Sequence, residues 1–209
     1  MTAATNLPSS LVSRTLNAII AHADELTRLD QAIGDGDHGI NMKRGAENIL
    51  RDLPELCAKP AGDALKAMGM ALVMSVGGAS GPLFGSLLME MGKVLGSRPL
   101  DRGTFTECFS AGIDAVKRRG KSDSGQKTML DVLVPALEIL KTKHDRDGLY
   151  AELRQSAGRS EEATVEMVAL KGRASYLGER SIGHMDPGAR TCGLAIREIC
   201  NSLEANEHG

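Results

Sequence analysis

The apolar positions Val12, Leu16, Ile19, Ile20, Ala23 and Leu26 fall at offsets 0, 4, 7, 8, 11 and 14, one face of a helix with 3.6 residues per turn. Offsets of 0, 3, 4, 7, 8 and 11 recur at Leu65, Met68, Gly69, Leu72, Val73 and Val76, and again at Cys192, Ala195, Ile196, Ile199, Cys200 and Leu203. Each such stripe obliges its helix to bury one face against a neighbour. No alternating β-branched runs joined by hairpin turns compete with this pattern, and no self-similar period points to a solenoid. Further helical segments read at 40–52, 83–96, 104–118, 128–143 and 147–170, giving eight helices, the first starting after the capping candidates Ser9 and Ser10. The expected fold class is all-α, an eight-helix antiparallel up-and-down bundle. A chain of 209 residues is read as one domain spanning 1–209.

Composition narrows the function. Lys plus Arg number 25 against 27 Asp plus Glu, so there is no basic field to hold nucleic acid. Aromatic residues are 2% of the chain and Trp is absent, which removes base stacking as a mode of recognition. A nucleotide would have to be gripped by backbone, small residues and aliphatics. No apolar run reaches the roughly 18 residues of a membrane span, and the N-terminus MTAATNLPSS lacks the basic and apolar regions of a leader, so a cytoplasmic protein is expected. Cys57, Cys108, Cys192 and Cys200 show no C-x-x-C spacing and lie on or near apolar stripes, so they read as reduced core residues.

Three loops break the helical pattern: Asp30 to Asn41 (DQAIGDGDHGIN), Ser75 to Gly85 (SVGGASGPLFG) and Lys171 to Ala189 (KGRASYLGERSIGHMDPGA). In an up-and-down bundle, loops after the first, third, fifth and seventh helices share one end. These three follow helices one, three and seven, and the Gly120 to Lys127 turn follows helix five. Four separate stretches are therefore expected at one mouth.

The first loop carries Asp30, Asp35 and Asp37. Ionised carboxylates about 4 Å apart repel by roughly 4 kcal/mol per pair at an effective dielectric near 20, so a cation is expected among them. An EF-hand counted from Asp35 would need Gly and Glu where Ile40 and Ala46 stand, which rules it out. Magnesium, which takes a few carboxylates together with waters and phosphate oxygens, fits better and predicts a phosphate ligand. His38, Gly39, Ile40 and Asn41 then open a helix whose N–H groups and dipole favour an anion. Three aspartates facing a diphosphate of about −3 charge call for two magnesium ions rather than one.

The Gly-rich GGASG turn is a second candidate cradle, with Ser80 able to donate its hydroxyl hydrogen to phosphate; with no Lys-Ser/Thr after it, it is not a Walker A loop. In the late loop, Arg173 or Arg180 could clamp phosphate oxygens bidentately, whereas Lys171 reads equally well as a solvated charge.

Taken in order, DxxxGDGDHGxN, SVGGASGPLFG, RGK…GxKTMLDVLVP and GRASYLGERSIGHxDPG resemble the nucleotide-binding L subunits of dihydroxyacetone kinases and the equivalent domain of the one-chain kinases. The resemblance spans nearly the whole chain, apart from 142–166, where no motif matches. It implies an eight-helix barrel with ADP or ATP and two Mg2+ at one mouth. It implies Asp30, Asp35 and Asp37 as metal ligands, His38, Gly39, Ile40, Asn41, Ala79 and Ser80 at the phosphates, and Gly120 and Met129 on the adenine side. Arg173, Asp186, Pro187 and Gly188 would complete the nucleotide site. No nucleophile on this chain is implied. The implied partners are a dihydroxyacetone-binding kinase subunit, for which 209 residues leave no room, and a phosphohistidine donor protein of the phosphotransferase system, with a homodimer left open. An ATP-exchanging subunit for dihydroxyacetone or a four-carbon ketose, and a non-catalytic nucleotide-binding adaptor, are the alternatives.

Overall fold

In the computed structural model, which describes residues 6–143, 145 and 147–207, the first apolar stripe lies on two helices, α1 at Ser9–Ala21 and α2 at Ala23–Ile33. The first five residues, part of the stretch read above for a leader, lie outside the described residues. The break falls at His22, with φ −100° and ψ 11°. Its ring Nδ1 approaches the Ala18 carbonyl at 2.8 Å, the same oxygen that accepts its backbone N–H. The Asp24 and Glu25 carboxylates then sit in the first turn of α2, where the helix dipole favours them. Pro8, and neither Ser9 nor Ser10, occupies the N-cap of α1, and no side chain caps it.

The remaining helices are α3 at His38–Arg51, α4 at Leu53–Cys57, α5 at Ala61–Ser75, α6 at Ser80–Leu95, α7 at Arg102–Gly120, α8 at Leu130–Thr142, α9 at Leu149–Ala163 and α10 at Pro187–Glu207. The all-α class holds among the described residues, where an isolated bridge between Asn6 and Pro60 is the extended pairing present. The expected count of eight does not: the described residues form ten α-helices, because the first expected helix is split and the short α4 follows α3. The helix expected over 147–170 ends at Ala163. There the Thr164 hydroxyl donates to the Glu161 carbonyl at 2.6 Å, and the chain passes through a 3-10 turn at Thr164–Glu166. A second 3-10 stretch, Arg173–Ser181, occupies the late loop.

Each long helix packs on the next around a ring, α2 on α3, α3 on α5, then α6, α7, α8, α9 and α10, which returns to α1. One side of the core gathers Val12, Ile19, Leu26, Ile49, Met68 and Leu72, the other Leu95, Ile113, Val116, Leu130 and Leu133. The α5 and α6 backbones approach through glycine pairs. A Cβ on Gly62 would lie 2.8 Å from the Gly92 carbonyl oxygen, and one on Gly69 would lie 2.7 Å from that of Gly85. All four cysteines are free. No helix among the described residues is long and apolar enough to cross a membrane.

Candidate functional site

Asp30 lies in the last turn of α2, and its Oδ2 accepts the backbone N–H groups of Asp37 at 2.8 Å and His38 at 3.0 Å. One carboxylate thus folds the acidic loop back and satisfies the first free donors of α3. Gly34 makes room for it, since a Cβ there would stand 2.1 Å from Asp30 Oδ1. Gly36 turns the loop in the left-handed region, φ 76°. Asp30, Asp35 and Asp37 each offer an oxygen, all within 4.8 Å of one another. This donor set of hard oxygens fits a divalent cation such as magnesium. From the late loop, Arg173 Nη1 meets Asp35 Oδ2 at 2.9 Å.

The triad opens on a cavity of about 490 Å³ bounded by the four stretches anticipated at one mouth. Asp30, Asp35, Asp37 and His38 enter from the α2–α3 junction, Ala79 and Ser80 from the start of α6, and Gly120 from the end of α7. Met129 enters from the start of α8, Arg173 from the late loop, and Asp186, Pro187 and Gly188 from the start of α10. Lys171 is on the wall as well. Gly39, Ile40 and Asn41 do not line it. Gly39 is pressed on α2, where a Cβ would meet the Ala23 carbonyl oxygen at 2.0 Å; Ile40 is 55% exposed; and Asn41 is buried beside Gly77. The anion expected at the head of α3 therefore finds the Asp37 and His38 N–H groups already bonded to Asp30. A shallower groove of about 810 Å³ is lined by Gly148 and α9 residues alone and gathers none of these groups.

His38 is buried and bridges two helices: Nε2 lies 2.8 Å from Thr191 Oγ1 on α10 and Nδ1 lies 2.9 Å from Ser80 Oγ on α6. The Thr191 hydroxyl donates to the Pro187 carbonyl at 2.9 Å, so it can only accept from the imidazole. We accordingly assign the proton to Nε2, and Ser80 donates to Nδ1. Burial pulls the His38 pKa down to about 4 against the opposing charge of Asp30, and the ring is neutral at neutral pH. Ser80 was expected to donate its hydrogen to phosphate; with that hydrogen on His38, its oxygen presents lone pairs instead.

Several lining or supporting roles had no reading in the sequence. Arg119 lines the cavity one residue before Gly120. Asp131 is buried and holds the 123–128 loop by accepting the N–H of Gly125 and, at 2.6 Å, that of Thr128. Lys127 is 1% exposed, and its ammonium donates to carbonyls 37 to 57 residues away. Asp186, beside it, accepts the Ala189 N–H at 2.7 Å and opens α10. Burial pushes its carboxyl up, to about 7; the Ala189 bond and the Lys127 charge oppose this while the Asp131 charge adds to it.

A ring of helices with a carboxylate triad and a neutral, bridged histidine at one end defines a helical domain with an acidic cavity at its mouth. The chain belongs to the DAK2 domain family, which matches residues 32–201. Asp30 falls just ahead of the matched stretch. The chain is 44% identical over 174 residues to the "PEP-dependent dihydroxyacetone kinase 1, ADP-binding subunit DhaL" of Listeria innocua serovar 6a, covering 83% of this chain and 84% of that one. It is 45% identical over 172 residues to the corresponding ADP-binding subunit of Escherichia coli K12, covering 80% and 82%. It is 35% identical to an L-erythrulose 1-kinase of Mycolicibacterium smegmatis, over 86% of this chain and 32% of that protein. The crystal structure of the dihydroxyacetone kinase from C. freundii in complex with AMP-PNP and Mg2+ superposes with a TM-score of 0.76 at 25% identity; the match covers 97% of this chain and 35% of that one, so this chain spans about a third of that kinase.

Proposed function

We propose that residues 1–209 act as one ADP- or ATP-binding, magnesium-dependent subunit of a dihydroxyacetone kinase. It would pass a phosphoryl group from a phosphohistidine protein of the phosphotransferase system, through bound nucleotide, to dihydroxyacetone on a separate substrate subunit in the cytoplasm. The observation that carries this reading is the triad of Asp30, Asp35 and Asp37 on a cavity bounded by four distant stretches. The higher identity to ADP-binding subunits than to the erythrulose kinase favours the subunit form and a three-carbon substrate.

Asp30, Asp35 and Asp37 would hold two magnesium ions. When bound, such a pair would supply charge neutralisation on the phosphates, which is most of what phosphoryl transfer requires. Asp30 is held in place by the two N–H groups it accepts, and His38 keeps the Ser80 oxygen facing the cavity. Ala79 and Ser80 would border the phosphates, with the α3 residues Gly39, Ile40 and Asn41 shaping that wall from behind. Arg173 offers a bidentate fork for phosphate oxygens, and Lys171 and Arg119 add positive charge. Gly120 and Met129 would flank the adenine, with Asp186, Pro187 and Gly188 closing the site beside them.

Native mass spectrometry of the purified chain tests this, followed by a coupled assay with the substrate subunit and the phosphohistidine donor. Retained ADP with two magnesium ions and transfer from the donor are expected; an empty site that fills and turns over only with ATP supports the exchanging kinase instead. Asp35→Asn and Asp37→Asn should each lose nucleotide and transfer by about a hundredfold or more while keeping helical content, since even residues that only orient a metal's ligands cost about ten- to a hundredfold and these two would touch the ion itself. Either variant retaining full activity with normal metal binding would sink the assignment.

A further inference from the structure

Lys127 departs from what its sequence position suggests. A lysine in the loop between α7 and α8 would ordinarily extend into water, yet this one is 1% exposed and takes a left-handed backbone, φ 60°, that a residue with a side chain seldom adopts. Its ammonium donates to four main-chain carbonyls: Thr164 at 2.7 Å, Met167 at 3.1 Å, Ser181 at 2.7 Å and His184 at 2.6 Å. Three N–H donors thus sit among four oxygens. All four oxygens belong to the segment between α9 and α10, two where it leaves α9 and two where it returns. Lys171, Gly172, Arg173 and Ala174, midway along that segment, line the cavity.

The rest of the segment is tied across its own neck, with Gly183 N–H on the Val165 carbonyl at 2.8 Å and Ala169 N–H on the Ser181 hydroxyl at 2.9 Å. One bond runs back to the Lys127 loop, from Leu170 N–H to the Gln126 carbonyl at 3.2 Å. These bonds bring four carbonyl dipoles face to face, an arrangement that repels unless a cation stands at its centre. The acidic neighbours Asp186 and Glu166 add to the field that the ammonium answers. An apolar side chain of equal volume would fill the space and leave the oxygens without donors.

We propose that Lys127 is a positioning residue: an ammonium carried by the chain at a place shaped like a monovalent-cation site, which clips both ends of the 164–184 segment and so holds its middle against the cavity. The consequence for nucleotide residence rests on the proposed nucleotide site; the clip itself does not. Rings of main-chain carbonyls are also how proteins replace the water around potassium, an ion close in size to ammonium.

Lys127→Ala leaves the oxygens and removes the cation. Hydrogen exchange on the nucleotide-free protein should show the Leu170 and Gly183 amides opening about tenfold faster or more, with the α5 and α6 amides unchanged. Ammonium or potassium chloride should restore protection, and lithium or choline chloride at equal ionic strength should not. On the loaded protein, Mg-ADP should leave faster and slow again with the same two salts. Wild-type exchange in the variant, or loosening of the same size in all four salts, overturns the clip. A restored clip with nucleotide release unaltered throughout overturns only its link to residence. If the alanine variant does not fold, Lys127→Met keeps the volume without the charge, and wild-type protection of 164–184 in that variant overturns the proposal equally.

Discussion

His38 has traded solvent for two hydroxyls, and that trade sets a pH dependence. Its folded pKa near 4 lies below the unfolded value of 6.5, so between those values the unfolded chain binds the extra proton. Stability from this group is complete above pH 6.5 and lost as pH falls toward 4, by at most about 3 kcal/mol. Asp186 has the opposite sign: raised to about 7 from 3.8, it favours the fold below 3.8 and gives that contribution up as pH rises through 7. The two slopes oppose each other from pH 4 to 6.5. Urea midpoints measured in EDTA over this range should vary little for the wild type, rise with pH in Asp186→Asn, and fall with pH in His38→Gln. Identical profiles for all three proteins would show that neither group is perturbed as described. At this scale the sequence was half legible. Asp30, Asp35 and Asp37 sit within eight residues of one another, so their charges had to be answered locally. Thr191 is 153 residues from His38, and no local pattern could pair them. Lys127 lay inside a motif that was read, but a carbonyl set contributed by another loop has no signature in side-chain chemistry.

Between elements, two kinds of contact hold the ring. On the α5–α6 seam, glycine is required by distance: a Cβ on Gly62 would meet the Gly96 carbonyl oxygen at 2.3 Å. Alanine there gains about 1 kcal/mol in helix propensity but forces backbone apart, for a net loss of about 1 to 3 kcal/mol. Gly158 on α9 has nothing within 4 Å of its would-be Cβ, and Gly158→Ala should stabilise by about 0.5 to 1 kcal/mol. Chemical denaturation of the two variants should therefore move in opposite directions. Across α2, α9 and α10, the buried Glu161 meets Arg190 at 2.9 Å and Arg197 at 2.7 Å, and Arg190 also reaches Glu25 at 2.7 Å. Gly193 leaves the space, for a Cβ there would fall 1.8 Å from Glu161 Oε2. Glu161→Gln removes the carboxylate that Arg197 pairs with and leaves Arg190 with Glu25. Because the Arg190 and Arg197 side chains are 18% and 26% exposed, the cost should be about 2 to 3 kcal/mol, below that of a fully dry pair, and a change under about 0.5 kcal/mol would show the network to be ornamental. Helix existence followed from apolar spacing. The break at His22 and the stop at Ala163 did not, because each depends on a side chain capturing a nearby carbonyl that periodicity does not register.

For the whole molecule, connectivity brings the four stretches of the mouth to one end, where side chains such as Asp30 and Lys127 then fix them. Loops after alternate helices of an up-and-down ring must meet, and the four stretches from 30–38, 78–84, 116–129 and 171–188 do. A ligand bound there bridges parts of the chain that the backbone joins only through long helices, so binding and folding are coupled. Under the proposed function, magnesium and nucleotide need one another: three carboxylates repel a phosphate unless a cation stands between them. At a hundredfold excess over the dissociation constant, Mg-ADP should add about 2.7 kcal/mol to stability. For a chain of 209 residues that corresponds to a rise of roughly 5 to 11 °C in the melting temperature. ADP in EDTA should shift it by no more than about 1 °C, and Asp37→Asn should abolish the Mg-ADP shift. If ADP stabilises equally with and without the metal, the nucleotide is held by something other than the aspartate triad, and charge balance is not the rule by which this cavity was built.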